Sequence, residues 1–296
     1  MAMRPAHFRE TIAVTGATGR QGGAVARVLL ARRFKVRALT RNPSSASAKA
    51  LEATGAEIVT CDLNDPRSVT AALRGVSGVF LTTTPYEKGV DAEEMHAKQA
   101  IEASAVVGVQ QVVYSSVALA DQPTGVPHFE SKGRVERYLA EAGIPCITVL
   151  RPTFFMDMFL GDAFRRCIQQ GRIELLLNPE TRIAMIAVDD IAAFAAHACA
   201  HPSEMSGKVI ELAGDRPSMT GLAASMSTGL ECPLEYRQIG EVDLAADIRP
   251  KAGTQRWLEE VGWGVDPTNL TPYRIPLTDL ATWARRHRDA LLRLSA

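Results

Sequence analysis

Apolar residues follow two different rhythms along this chain. Up to residue 151, short apolar runs alternate with longer stretches in which apolar positions recur at helical spacing. The runs at 11–14, 35–39, 57–60, 78–81, 111–115 and 145–150 predict strands, and the stretches near 20–32, 44–54, 66–74, 91–107 and 129–142 predict helices. Several strands are apolar at consecutive positions, so neither face can be wet, as in a parallel sheet covered by helices on both sides. Such strand–helix alternation builds right-handed units and predicts an α/β, doubly wound, mostly parallel sheet.

Beyond residue 151 the rhythm changes. Residues 152–161 are rich in Phe and Met and precede a helix, and 172–188 reads as hairpin or strand material. A helix at 190–200 and a strand at 208–212 follow. The remainder is mostly helical, with Gly- and Pro-containing breaks around 214–217, 229–233 and 262–276. The expected organisation is an α/β domain over 1–151 and a smaller, mainly helical lobe over 152–296. Segments within about 183–213 return to the first domain.

The 296 residues suffice for a sizeable core, and 46% hydrophobic with 22% charged residues is ordinary for a globular chain. Thirty-three basic residues balance 33 acidic ones. That removes the electrostatic footprint of a nucleic-acid binder, so nucleic acid is not an expected partner. The basic run Arg285, Arg286, His287, Arg288 reads as the solvated face of a helix. Cys61, Cys146, Cys167, Cys199 and Cys232 are odd in number, widely spaced and without a CxxC pair, as in a reduced, intracellular protein. Arg4, His7, Arg9 and Glu10 precede the first apolar run, which argues against a secretory signal. The apolar run at 191–200 is half the length a bilayer requires. A cytoplasmic protein without membrane association is expected.

The first strand runs into Thr15, Gly16, Ala17, Thr18, Gly19, Arg20, Gln21, Gly22 and Gly23, where a helix begins at once. Gly16 permits a tight turn, Gly19 lets backbone approach a pyrophosphate, and Gly22 lets the helix pack on the strand. The helix then aims free N–H groups and its positive dipole end at the phosphates. The spacing Gly-x-x-Gly-x-x-Gly is one residue wider at the front than the commonest dinucleotide fingerprint of the Rossmann fold. The second strand ends in Leu39, Thr40, Arg41, Asn42 and Pro43, with no carboxylate for a ribose 2′-hydroxyl. Arg41 suits a 2′-phosphate instead, with help from Arg20, and the expected cofactor is NADP(H).

With these residues in view, the chain resembles the NmrA-like family, atypical members of the short-chain dehydrogenase/reductase superfamily. The carriers are GATGRQGG, FKVRALTRNPSS, GAEIVTCDLNDPRSVTAAL, QVVYSSV, HFESKGRVERYL and LRPTFFMDMF, joined by GKVIELAGD and LTDLATWARRHRDALL. The resemblance implies that Gly16 through Gln21 wrap the pyrophosphate and that Arg41 meets the 2′-phosphate. It implies Asp62 and Leu63 beside the adenine, Thr83 toward the nicotinamide, and Lys98 on the next helix as a further contact. It also implies Lys132 at the nicotinamide ribose and Pro152, Thr153, Phe154 and Phe155 over the nicotinamide ring. Ser115, at the end of the fifth strand, joins the cofactor-binding set. These positions follow strand C-termini, where open α/β sheets bind ligands.

The parent superfamily places a Tyr four residues before a Lys on one helical face. Here Lys132 is kept, but position 128 holds His; Ser115 and Ser116 end the fifth strand, and Val117 follows. Three readings stand. His128 replaces the tyrosine as proton donor, imidazole being suited to acid–base work near neutrality. Lys132 does the proton chemistry itself, as the resemblance to isoflavone- and lignan-type reductases suggests. Or Lys132 only clamps ribose while His128 caps the helix start or faces solvent. The first two make the chain an NADPH-dependent reductase of a quinone or another conjugated carbonyl. The alternative is a redox sensor whose NADP(H) occupancy alters contact with a protein partner such as a transcription regulator.

Other features carry less chemistry. His197 and His201 have a metal-compatible spacing but no third ligand placed by sequence, so no metal is expected. Phe154, Phe155, Met156, Met158 and Phe159 fit either a flat substrate pocket or a core. Asp189 and Asp190 are expected to cap a helix, and Trp257, Trp263 and Trp283 to pack in the C-terminal lobe.

Overall fold

The computed structural model describes residues 10–86, 88–244, 252–262 and 264–293. The N-terminal residues before Glu10 and Trp263 lie outside them. The chain divides into two compact units, one made of 1–151 and 191–210 and the other of 152–190 and 211–296.

The first unit begins β1 (Thr11–Val14), α1 (Arg20–Ala31), β2 (Lys35–Thr40), α2 (Ala46–Ala53), β3 (Glu57–Thr60), α3 (Pro66–Leu73), β4 (Gly78–Leu81), α4 (Val90–Val106), β5 (Gln111–Ser115), α5 (Pro127–Ala140) and β6 (Cys146–Pro152). All six sequence-predicted strands form, with bounds within two residues of expectation. Every residue of β4 and β5 is buried, whereas edge strand β3 has none fully buried. Consecutive burial of this kind is what parallel pairing under helices on both faces demands. Pairs β1–β2, β1–β4, β2–β3, β4–β5 and β5–β6 are all parallel. Helix starts are set locally: Ser45 accepts from the Ala48 N–H at α2, and Asp65 from the Arg67 N–H at α3.

In the second unit, β7 (Phe154–Phe155) and a 3₁₀ turn over Met156–Leu160 lead to α6 (Asp162–Gln169), β8 (Arg172–Leu175) and β9 (Met185–Ile186). The chain then forms α7 (Val188–Ala200), which enters the first unit, α8 (Pro202–Met205) and β10 (Val209–Leu212). Next come α9 (Met219–Leu230), β11 (Glu235–Gln238), α10 (Ala252–Glu260), a 3₁₀ turn over Pro267–Tyr273, α11 (Leu280–Arg286) and α12 (Arg288–Leu292). The seven-stranded sheet has the order β10-β6-β5-β4-β1-β2-β3. Strand order reverses between β1 and β4, so their C-terminal ends frame the crevice where such sheets take ligands.

In the second unit residues 172–188 hold strands, the second of the two forms expected: β8 pairs in parallel with β11 and β9 with β7. The remainder is mostly helical, as expected, with β11 lying within it. One expectation is corrected. Asp190 does not cap α7; its carboxylate accepts from the Thr278 N–H at 2.7 Å and the Thr278 hydroxyl at 2.9 Å. The Val188 N–H at the start of α7 donates to Asp157 at 3.0 Å. Met156 and Phe159 are core residues, the Phe159 ring lying 5.1 Å from Phe164 and 6.2 Å from Trp283. Trp257 and Trp283 are buried, and Arg285, Arg286 and Arg288 are exposed. No described helix is long and apolar enough to cross a membrane.

Candidate functional site

The turn between β1 and α1 is held by backbone. Gly16 adopts φ +58°, a left-handed conformation that side-chain-bearing residues avoid. Its carbonyl accepts the Gly19 N–H at 2.9 Å. At Gly22, a methyl group would stand 2.3 Å from the Gly16 oxygen and 2.6 Å from the Thr15 oxygen, so only glycine lets α1 lie this close to the turn. No side chain caps α1, and its first turn holds no acidic residue. The first N–H groups of a helix have no intrahelical acceptor, and here no acidic side chain stands within that turn. Ala17 is buried beneath the turn, Thr18 is half-buried, and Gly19 and Arg20 are exposed. This arrangement fits a pyrophosphate.

Side chains tie the turn to the neighbouring strand ends. The Thr15 hydroxyl donates to the Thr82 carbonyl and accepts the Thr82 N–H, both at 2.8 Å. Gln21 reaches across: its amide nitrogen donates to the Ser115 hydroxyl at 2.6 Å, and its oxygen accepts from the Thr82 hydroxyl at 3.0 Å. Gln21 and Ser115, 94 positions apart in sequence, thus meet through a direct hydrogen bond. Ser116 turns elsewhere, donating to Glu136, which also binds Arg151.

At the end of β2, Arg41 is exposed, and its charge is felt at Asp62 across the loop that follows β3. Hydrogen bonds from the Asn64 backbone and side chain hold the Asp62 carboxyl below the usual carboxylate range, with Lys88 and Arg41 adding to the effect. Asn64 also meets His96 of α4 at 2.9 Å, and Leu63 packs on the core behind.

Lys132 sits on α5 with its side chain 11% exposed. Its ammonium lies 2.8 Å from Glu93 Oε1 and donates to the Thr83 carbonyl at 3.1 Å and hydroxyl at 3.4 Å. It stands 5.4 Å from the centre of the Tyr114 ring. Glu93, from the first turn of α4, is 1% exposed. Burial pushes its carboxyl above the ordinary range, while the Lys132 charge and hydrogen bonds from Lys132 and Ser131 pull it back. Sequence reasoning missed Glu93, because a carboxylate beside Glu94 in a polar helix start reads as solvated. His128 is half-buried in the first turn of α5, its ring 4.5 Å from Phe129, one helical turn before Lys132. Lys98 faces another way, pairing with Glu94 at 2.8 Å and lying 5.3 Å from the centre of the Tyr138 ring.

The structure therefore gathers Gly16 to Gly22, Thr82, Thr83, Ser115, Glu93 and Lys132 around the C-terminal ends of β1, β4 and β5, with Arg41 and Asp62 beyond β2 and β3. Pro152 to Phe155 belong to the second unit, where Thr153 donates to the Leu212 carbonyl at 2.8 Å. A groove of about 530 Å³ in the first unit is lined by Glu136, Arg137, Ile144, Arg151 and Lys208 and includes none of these site residues. His197 and His201 stack at 4.3 Å, and no described cluster of three metal-ligating side chains includes them.

Comparison with known proteins places this geometry. The chain is 32% identical over 244 residues to quinone oxidoreductase 2 of Escherichia coli, covering 80% of this chain and 81% of that protein. It is 34% identical over 168 residues to the NmrA-like family domain-containing oxidoreductase malD of Malbranchea aurantiaca, and this match spans 53% of the chain and half the length of that relative. Among solved structures, NADPH-dependent quinone oxidoreductase QOR2 from Escherichia coli, complexed with NADPH, superimposes with a TM-score of 0.77 at 27% identity, covering 93% of this chain and 99% of that one. Triphenylmethane reductase of Citrobacter sp., complexed with NADP(H), gives 0.81 at 20% identity over 94% and 99% of the two chains. NmrA, a negative transcriptional regulator in complex with NADP, gives 0.76 at 20% over 94% and 95%. These last two show the shared fold. The model of the NmrA-like family matches residues 9–263, and the chain belongs to that family.

Proposed function

We propose that this protein binds NADP(H) and reduces a quinone or another conjugated carbonyl compound. The observation that carries the reading is the start of α1, an uncapped helix end without acid, entered through a left-handed glycine, with Arg41 after β2 where an NAD-binding chain would have a carboxylate. The relation to the Escherichia coli quinone oxidoreductase supports the substrate class.

In this reading Gly16 to Gly22 hold the pyrophosphate, Arg41 with Arg20 the 2′-phosphate, Asp62 and Leu63 the adenine edge, and Thr83, Ser115 and Lys132 the nicotinamide ribose side. Bound NADPH would supply the hydride. Quinone plus hydride plus one proton balances to quinol, so the chain has to deliver a single proton. His128 supplies it, its imidazole being reprotonated from water, while Lys132 holds the ribose. Cytoplasmic location belongs to the same reading. It is supported by five free cysteines, of which burial pushes Cys61 up to about 11 and Cys199 up to about 12, leaving both as inert thiols near neutrality.

The test mixes purified protein, NADPH and a panel of quinones and enones while cofactor absorbance is followed. Turnover lost on His128→Ala and kept on His128→Tyr supports the reading. Absence of consumption across the panel, with NADPH still bound, favours the sensor alternative, for which histidine at position 128 is the supporting feature.

A further inference from the structure

We infer that Glu93 is a positioning residue that keeps Lys132 charged and fixed at the end of β4. The inference rests on the assignment of Lys132 to the nicotinamide ribose. An ammonium has three donors, and three oxygens surround this one: Glu93 Oε1 at 2.8 Å, the Thr83 carbonyl at 3.1 Å and the Thr83 hydroxyl at 3.4 Å. Two of these are strong acceptors. The third is the longest contact and comes from a hydroxyl on the loop that follows β4, so it is the place a ribose hydroxyl can take.

Glu93 does not earn this place as a surface charge. Both partners are buried, and a buried pair contributes little net stability, whereas removing one partner strands the other's charge. A carboxylate kept in the interior under those terms, with the Ser131 hydroxyl donating to it at 3.5 Å, acts on what it holds. It holds Lys132 as a cation. The pair therefore selects among the roles open to this lysine: a charged clamp, and not a base that accepts a proton.

The groups around the pair come from four elements. Tyr114 of β5 lies under the ammonium, with a fully buried phenol pushed well up by burial and by the Glu93 charge. Ser131, His128 and Glu136 come from α5, Glu94 from α4, and Tyr86, whose phenol feels Glu93, from the loop after β4. Among the described residues, Glu93 is the carboxylate in contact with the ammonium.

The test is calorimetric titration of NADPH into the full-length parent, Glu93→Gln, Glu93→Asp, Lys132→Met and the Glu93→Gln/Lys132→Met double variant from pH 6.5 to 10. Lys132→Met should weaken binding about tenfold at neutral pH. Glu93→Gln should bind more weakly than the parent, by a factor that grows as pH rises, because a buried ammonium without its counter-charge is the costlier form. Glu93→Asp should return the profile toward the parent, and the double variant should behave as Lys132→Met. A Glu93→Gln profile that tracks the parent, beside a weakened Lys132→Met, overturns the positioning role. A Lys132→Met protein that binds as the parent does overturns the ribose assignment beneath it. If Glu93→Gln does not fold, the double variant decides. Recovery of a cooperative thermal transition there assigns the defect to the stranded ammonium and supports the pair, whereas failure of both makes Glu93 structural and overturns the proposal.

Discussion

In the proposed reading, Arg41 decides more than any other single residue which dinucleotide this chain accepts. A guanidinium at the end of β2 gives a 2′-phosphate a charge-assisted contact, and an aspartate there would accept a 2′-hydroxyl. Arg41→Asp should weaken NADPH binding about tenfold while NADH binding holds or improves, as checked by parallel fluorescence titrations. Equal losses for both would detach Arg41 from cofactor choice. At this scale the site was partly legible. Gly16, Gly22, Arg41 and Lys132 announce themselves because backbone conformation, close packing or charge demands those residue types at those spacings. Glu93 does not, since its burial is created by α5 packing over α4 and leaves no periodic trace. Gln21 and Ser115 were both named from the family pattern, but their bond to each other depends on the sheet order, which brings α1 over the ends of β4 and β5.

Among the elements, α1 and the turn that feeds it connect fold to function. Gly22 lies so near the carbonyls of Thr15 and Gly16 that one added methyl has to push the helix off the strand. Gly22→Ala should therefore cost about 1–3 kcal/mol of stability from overpacking. It should also lose NADPH affinity, because the helix end and the turn move apart. Thermal unfolding and NADPH titration of the same variant check both; unchanged affinity in a destabilised protein would separate the packing role from the binding role. Strands β1 to β6 were legible because burial on both faces writes continuous apolar runs. β7 is only two residues long, and β11 (Glu-Tyr-Arg-Gln) is mostly exposed, so neither carries a readable alternation. The Ile173 and Leu175 alternation in β8 was visible, but its partner strand is some sixty residues away, and the local pattern of a hairpin and of a parallel pair is the same.

Over the whole molecule, the reversal of strand order between β1 and β4 explains why one crevice serves all the residues assigned to the cofactor in the first unit. The glycine turn, Thr82 with Thr83, Ser115 and Lys132 come from four separate stretches of sequence and meet at one edge of the sheet because the strands that lead to them all point the same way. The most direct test of the central claim is calorimetric titration of the unmodified protein with NADPH and with NADH at neutral pH and moderate salt. The account predicts saturable binding of one NADPH per chain, at least about tenfold tighter than NADH; no binding of either nucleotide, or a preference for NADH, would contradict it.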